Sequence, residues 1–144
     1  MNMETKKYQI AVGLDDSERS WKAFQEAVHL AKNKNSPLHI VSIQEAIEAS
    51  YSASEVLAAE KTSKERLETA QVKARLIAED AGLEVVVAIV KGNSAHALAD
   101  YAKKNLIDLL ITGDTGHSSL WGVLIGTTAE KLVREAPCSV LIVR

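Results

Sequence analysis

The sequence predicts an α/β protein built on a doubly wound, five-stranded parallel sheet. Short runs of apolar and β-branched residues alternate with longer stretches whose apolar residues recur at helical spacing, giving the order βαβαβαβαβ. The strand runs are apolar throughout, which is typical of parallel strands covered by helices on both faces. Right-handed crossovers between such strands produce a doubly wound sheet.

The first strand is predicted at Tyr8–Leu14, where the acidic turn of residues 15–17 ends it. A helix follows from about Ser17 to Asn33, and Pro37 opens the second strand, Leu38–Ile43. The apolar residues of this helix fall on one face: Trp21, Phe24, Val28 and Ala31.

Residues 44–52 have no clear period and are interpreted as a loop or a frayed helix start. The second helix is predicted at Ser52–Ala81, with Gly82 as its stop signal. Its core face is predicted to be Leu67, Ala70, Ala74, Ile77 and Ala81. The third strand, Leu83–Val90, is rich in β-branched residues.

A third helix, capped by Asn93 or Ser94, is predicted to run to about residue 105. The fourth strand is predicted at Leu106–Thr112. Residues 127–130 (TTAE) form a capping-box pattern, so the last helix is expected to begin there and to end near residue 136. The last strand is then Ser139–Val143, which follows Pro137.

Composition limits the classes of protein to which the chain can belong. Its 144 residues suit one domain, expected to span residues 1–144. A net charge of −2 argues against bulk nucleic-acid binding, which requires a basic face. The short apolar run near the amino terminus and the lack of any span of about 18 apolar residues predict a soluble protein without a membrane anchor. A single cysteine, Cys138, suits a reducing cytoplasm.

The topology also predicts where a ligand binds. On doubly wound sheets, ligands lie beyond the carboxyl ends of the strands where the winding reverses. Residues at these ends are Asp15 after the first strand, Ile43 at the end of the second and Gly113 after the fourth.

The segment 111–128 (ITGDTGHSSLWGVLIGTT) carries the most specific pattern. Two residues separate Gly113 from Gly116, nine separate Gly116 from Gly126, and Thr127 follows. Glycines at a strand exit permit positive φ and close approach of the main chain, and exposed N–H groups there can form an anion-binding nest. The start of the next helix would add free N–H donors and its dipole. A glycine-rich turn followed by an ordinary threonine cap remains the alternative interpretation.

The glycine spacing resembles the G-2x-G-9x-G-[S/T] pattern of the ATP-binding branch of the universal stress protein family. The resemblance extends along the chain through VGLDDSERS, HIVSIQE, VKGNSAHALADYAKKNLIDLLITG and EAPCSVLIVR. It implies a Rossmann-like sheet of the adenine nucleotide alpha hydrolase-like type, with strand order 3-2-1-4-5. It also implies a homodimer, often formed through the last strand (Ser139–Val143), and a bound ATP, with ADP or AMP as alternatives and Mg²⁺ as a possible companion.

Residue roles follow from the same resemblance. Asp15 would lie near the ribose and phosphates, Gly13 and Leu14 would flank the adenine, and the main chain of Ile43 would hydrogen-bond it. The glycine segment would hold the ribose and phosphates. The implied binding set is Gly13, Leu14, Asp15, Ile43, Thr112, Gly113, Gly116, His117, Gly126, Thr127 and Thr128. The chain departs from the family at His117 and Ser118, where many relatives have Arg or Lys, and a histidine replaces that cation only when protonated.

Other classes of nucleotide protein lack support. The P-loop pattern and the G-x-G-x-x-G pattern of dinucleotide-binding proteins are both absent. Asp15 and Asp16 resemble the acidic pair of a phosphorelay receiver, but the third strand lacks the required Asp and the fifth the required Lys. The four histidines lack metal-ligand spacing, and no catalytic residue is assigned.

Three functional hypotheses remain. The chain is an ATP-binding stress or signalling module, a slow ATPase, or a nucleotide-free dimeric scaffold. For the slow ATPase, Asp15 is the sole candidate to position Mg²⁺ or water, because no general base or P-loop lysine can be assigned.

Overall fold

The computed structural model describes residues 6–47, 51–114 and 126–144, in which five strands and four helices alternate. The amino-terminal half contains β1 (Ile10–Gly13), α1 (Glu18–Lys34), β2 (Leu38–Gln44) and α2 (Ala53–Asp80). The remainder contains β3 (Val85–Lys91), α3 (Ser94–Lys104), β4 (Leu109–Gly113), α4 (Thr127–Glu135) and β5 (Ser139–Val143).

All five strands form one parallel sheet in the order β3-β2-β1-β4-β5. Strand β1 lies in the centre, where Val12 is opposite Ile40 of β2 and Ile111 of β4. The chain winds from β1 to β2 and β3 on one side, then returns to place β4 and β5 on the other. This arrangement confirms the predicted fold class and strand order, and it puts the reversal of winding between β1 and β4.

Helices cover the sheet on both faces. Helices α1 and α2 pack on one face around Phe24 and Ala74, against Ile10 and Val12 of β1. Helices α3 and α4 pack on the other face around Leu98 and Leu132, together with Ala11, Val41 and Leu110 from the strands. Alternate residues of each strand therefore enter separate cores, as the period of a β-strand requires.

The predicted core faces of α1 and α2 are confirmed except at Ile77 of α2. In α1, Phe24 is buried and Trp21 packs on the core at its edge. In α2, Ile77 is 44% exposed, and Ala78 is buried in its place. Ala78 follows Ala74 by four residues, so the core stripe continues along the i, i+4 row.

The start of the fourth strand differs most from its predicted position, and one predicted cap differs in kind. Strand β4 begins at Leu109 rather than Leu106, because Leu106 has a left-handed φ of 52° in the turn after α3. The capping box predicted at residues 127–130 is also wrong: α4 has Gly126 as its N-cap, with no side-chain hydrogen bond to that cap. A capping box occurs instead at the start of α2, between Ser52 and Glu55.

The predicted stop signal of α2 is confirmed, and α1 ends in a left-handed residue of its own. After α2, Gly82 adopts a positive φ of 85°, and α1 ends at Asn35 in the left-handed conformation.

Across the three described stretches of chain, none of the helices combines the length and the apolar character needed to span a bilayer.

Candidate functional site

The candidate site lies at the carboxyl edge of β1, β2 and β4. Leu14, just past β1, donates its N–H to the carbonyl of Val41 at 2.9 Å, and its own carbonyl accepts the hydroxyl of Ser42 at 2.7 Å. The side chain of Leu14 is buried in the core under α1 and α2. Leu14 therefore contributes main chain to this edge, while its side chain belongs to the core.

Ile43 extends past the end of β1. The register of β1 with β2 ends at the Gly13–Val41 pair. Main-chain groups of alternate strand residues point to the same side, and the carbonyl of Val41 points toward β1 because it accepts from Leu14. The peptide groups of Ile43 therefore point to the side of β1 at a level where β1 has ended.

Asp15 is held by the first turn of α1. Its Oδ1 accepts the N–H of Ser17 at 2.9 Å and also the hydroxyl of Ser17. Ser17 is the N-cap of α1, and its Oγ accepts the N–H of Ser20 at 3.2 Å. Ser17 therefore caps α1, and the same residue fixes the carboxylate of Asp15 at the edge of the sheet.

Asp16 serves the turn and the packing of α1. It adopts a left-handed φ of 67°, a conformation that aspartate tolerates better than most residues. Its Oδ1 accepts the indole N–H of Trp21 at 2.9 Å. The acidic pair is thus divided: Asp15 lies at the strand end, and Asp16 orients an aromatic side chain.

Gly113 ends β4 directly against the main chain of α1. A β-carbon at position 113 would lie 3.0 Å from the carbonyl carbon and oxygen of Arg19. The described glycines with positive φ are Gly82 and Gly92. Gly113 is therefore explained by close approach, and not by the positive φ that glycines at a strand exit permit.

Asp114 is a candidate site residue that was not among those predicted from the sequence. It is buried and follows β4 immediately, and its Oδ2 lies 3.6 Å from Nη1 of Arg19. Its N–H donates to the carbonyl of Val143 at 2.9 Å, and its carbonyl accepts the N–H of Gly126 at 2.6 Å. Its position directly after an apolar strand, between two glycines, was the available signal.

The start of α4 completes the described part of the site. Gly126 has φ −67° and ψ 158°, Thr127 is exposed and Thr128 is half-buried. Neither threonine caps the helix. The hydrogen bond from Gly126 to Asp114 puts the start of α4 beside the carboxyl end of β4, and within the described chain no side chain caps its first turn.

Four predicted binding residues remain, of which the structure describes two. Gly13 ends β1, and a β-carbon there would lie 3.3 Å from Cδ1 of Leu98. Thr112 is buried in β4, next to Gly113. Gly116 and His117 lie outside the described residues.

A surface cavity of about 440 Å³ lies next to this edge, between α1 and α2. Asp16 and Trp21 line it, together with Arg66 and Lys73 of α2. Of the predicted binding residues that the structure describes, none lines it, so the cavity lies beside the described part of the predicted site. In the described chain, no cluster of three or more His, Cys, Asp or Glu side chains could hold a metal ion.

Comparison with known proteins agrees with this architecture. The sequence pattern of the universal stress protein family matches residues 8–144. A universal stress protein of Methanocaldococcus jannaschii is 27% identical over 146 residues, covering 99% of this chain and 85% of that protein. The structure of UspA from Lactobacillus plantarum superimposes with a TM-score of 0.88 at 25% identity, covering 98% of this chain and all of the other.

A further solved structure, a universal stress protein in complex with cAMP, has a TM-score of 0.74 at 26% identity and covers 95% of this chain and 97% of its own. The family pattern covers 137 of the 144 residues, and each of these relatives is covered over 85% or more of its own length. The chain therefore belongs to the universal stress protein family.

Proposed function

We propose that this protein binds an adenine nucleotide, with ATP as its ligand, at the carboxyl edge of β1, β2 and β4. Binding would alter dimer or partner contacts, so that the protein acts as a nucleotide-responsive stress or signalling module in the cytoplasm. The observation that carries the proposal is the convergence of Ile43, Asp15 and the first turn of α4 on one edge of the sheet.

The adenine side of the site is argued from Ile43. Its N–H and C=O point beyond the end of β1, as derived above from the register of the strands. A purine ring with a donor amino group and an acceptor nitrogen can pair with one such main-chain N–H and C=O. Gly13 pairs with Val41, two residues before Ile43, and ends β1 just short of this position.

The phosphate side is argued from Gly126, Thr127 and Thr128. The uncapped first turn of α4 offers N–H donors and the positive end of the helix dipole, which together favour an anion. Threonine hydroxyls supply further donors without adding charge. This explains why an acidic protein, with a net charge of −2, can hold one phosphorylated ligand.

The related structure with bound cAMP supports an adenine nucleotide as the ligand class. ATP is proposed over cAMP because the glycine spacing resembles that of the ATP-binding branch. Mg²⁺ would then arrive with the triphosphate, since the described chain holds no cluster of metal ligands. Asp15 would supply a carboxylate to that ion, in keeping with the preference of Mg²⁺ for one or two carboxylates plus phosphate oxygens.

We further propose a homodimer formed through β5. This strand lies at the edge of the sheet, pairs with β4 on its inner side and carries four half-buried apolar residues, Val140 to Val143. An edge strand with apolar side chains is a ready template for pairing with a second chain. Because Val143 also accepts the N–H of Asp114, the dimer edge is one hydrogen bond from the nucleotide site.

The proposal is tested by identifying what the purified protein carries. Mass spectrometry of protein denatured after mild purification should release an adenine nucleotide in near-stoichiometric amount, and added ATP should raise the melting temperature of ligand-free protein. An empty protein whose melting temperature does not respond to ATP, ADP or AMP would support the nucleotide-free scaffold instead.

A further inference from the structure

We infer that Arg19, in the first turn of α1, is the side chain that contacts the nucleotide phosphates, and that Asp114 positions it. The inference rests on the nucleotide-binding function proposed above. It adds a cation from an element that the glycine pattern does not include.

Arg19 is brought to the site by main-chain packing. Its carbonyl group lies against Gly113, where a β-carbon would approach to 3.0 Å. This contact places the first turn of α1 on the last residue of β4. The position of the Arg19 α-carbon is therefore fixed by the fold and does not depend on a ligand.

The guanidinium is then oriented by Asp114. Nη1 of Arg19 lies 3.6 Å from Oδ2 of Asp114, whose side chain is only 9% exposed, whereas that of Arg19 is 43% exposed. A guanidinium has five N–H donors, so one carboxylate contact leaves others for a ligand. The buried carboxylate holds one side of the guanidinium, and the exposed side is available for phosphate oxygens, which arginine can bind in bidentate fashion.

Asp114 also joins the two positive elements of the site. Its carbonyl accepts the N–H of Gly126, the N-cap of α4, at 2.6 Å. The guanidinium of Arg19 and the first turn of α4 thus meet at one residue, from opposite faces of the sheet. An anionic group at this junction would receive main-chain donors from α4 and charged donors from α1.

The glycine segment of this chain, residues 111–128, contains no lysine or arginine. Histidine stands at position 117, where the resemblance implies an arginine or lysine in many relatives. An unperturbed histidine is mostly uncharged at pH 7, whereas arginine is charged at every accessible pH. Arg19 supplies the permanent positive charge that the glycine segment of this chain lacks.

The test compares a phosphorylated ligand with an uncharged one. Isothermal titration of wild-type protein and Arg19→Gln with ATP and with adenosine should show a loss of about tenfold or more in ATP affinity, as expected for a hydrogen bond to a charged group. Adenosine affinity should change less than about twofold, because it has no phosphate. Arg75→Gln, which removes the exposed partner of Glu79 on α2, is the matched control and should bind ATP like wild type.

Two further variants separate contact from structural support. Arg19→Lys keeps the charge and should recover part of the ATP affinity. Asp114→Asn in the Arg19→Gln background removes the charge of the buried carboxylate together with that of its ion-pair partner, because breaking a buried ion pair on one side only is strongly destabilising. This double variant should fold and should still bind ATP weakly, because the phosphate contact is missing.

Three results would overturn the inference. Arg19→Gln that binds ATP as tightly as wild type would show that the side chain makes no phosphate contact. Full recovery of ATP affinity in the double variant would show that Arg19 merely neutralises Asp114. In both cases nucleotide binding by the wild type would stand. Failure of wild type to bind ATP or adenosine at all would remove the proposed function together with the inference.

Discussion

Gly113 and Arg19 are in main-chain contact: a β-carbon on Gly113 would lie 3.0 Å from the carbonyl carbon and oxygen of Arg19. The contact joins the last residue of the strand next to β1 to the first turn of the helix that follows β1. It gives the first glycine of the segment a packing role that exists without any ligand. A larger residue at position 113 is therefore expected to lower the stability of the fold, whether or not a nucleotide is bound.

We therefore expect Gly113→Ala to lower the free energy of unfolding by about 1–3 kcal/mol, the usual cost of forcing extra atoms into a packed core. Gly13→Ala is the matched control. Its β-carbon would meet the end of the Leu98 side chain at 3.3 Å, which can shift, so its loss should be smaller. Urea denaturation of both variants and the wild type measures the difference. Equal losses, or a stable Gly113→Ala, would contradict the packing role. For the same reason Gly113→Val, a natural choice from sequence, is not a clean test of binding.

Ser17 should matter more than an ordinary helix cap. Ser17→Ala removes the hydrogen bond to the N–H of Ser20 and the hydroxyl bond to Asp15, so we expect a loss of about 1–2 kcal/mol in unfolding free energy. The control is Ser52→Ala, which removes the exposed cap of α2 and leaves the site intact. Urea denaturation should show the larger loss for Ser17→Ala, and ATP affinity should fall in that variant alone. A loss of affinity in Ser52→Ala of similar size would show that the effect is not local.

Stability should depend on pH through His39. Burial lowers the pKa of His39, against a smaller opposing effect of Glu84, and the ring bonds the hydroxyl of Tyr101 at 2.7 Å and the amide oxygen of Gln9 at 2.9 Å. The unfolded chain therefore binds a proton at His39 more tightly than the folded chain does. The contribution of neutral His39 to the free energy of unfolding is complete above the unfolded pKa of about 6.5, and it is lost as the pH falls below that value. The slope cannot exceed about 1.4 kcal/mol per pH unit for one proton.

The measurement is urea denaturation of wild type and His39→Gln between pH 8 and pH 5. The difference between the two unfolding free energies should be constant above about pH 6.5 and should shrink below it. A difference that grows on acidification would mean that the folded protein prefers the charged ring, in contradiction to its burial.

The fold was predictable from sequence because its signals are local and repeated. The apolar run of β2 and the helical spacing in α1 each identify an element without reference to the rest of the chain. The predicted element boundaries were wrong where the local sequence signal was ambiguous. The run from Leu106 to Thr112 is apolar almost throughout, so nothing in it indicated that Leu106 would turn with φ 52°.

The positions of the candidate site residues were predictable where they follow from topology and less so where they depend on tertiary contacts. Asp15 and Ile43 follow from the positions of strand ends. The pairing of Arg19 with Asp114 joins residues that are distant in sequence, and the close approach at Gly113 depends on how α1 crosses β4. The local sequence pattern around these residues indicates neither of these two contacts. The uncapped start of α4 was mistaken for a capping box because residues 127–130 fit the pattern one position too late.

ATP hydrolysis by this site should be negligible. Oδ1 of Asp15 already accepts two hydrogen bonds from Ser17, so this oxygen is engaged in holding the turn. We expect wild type and Asp15→Ala to release phosphate from ATP at the same background rate in a steady-state assay with Mg²⁺. A rate that drops in Asp15→Ala, with folding intact by circular dichroism, would favour the slow ATPase.

The proposed dimer edge predicts that charge on β5 produces monomers. Wild type should elute at twice the chain mass of 15.6 kDa in light scattering, and Ile142→Lys should elute at the mass of one chain, because facing lysines repel and lose apolar contact. The matched control is Val87→Lys on β3, at the opposite edge of the sheet. A dimer that survives Ile142→Lys but not Val87→Lys would move the interface to β3.

Nucleotide binding at the carboxyl edge of the sheet is tested most directly by calorimetric titration of ligand-free wild-type protein with ATP, with GTP as the comparison. The peptide groups of Ile43 should accept adenine and reject guanine, whose hydrogen-bonding edge is reversed. We expect saturable ATP binding with one site per chain and an affinity tighter than millimolar, and at least tenfold weaker binding of GTP, corresponding to about 1.4 kcal/mol. No heat of binding with millimolar ATP, or equal affinity for ATP and GTP, would contradict the account.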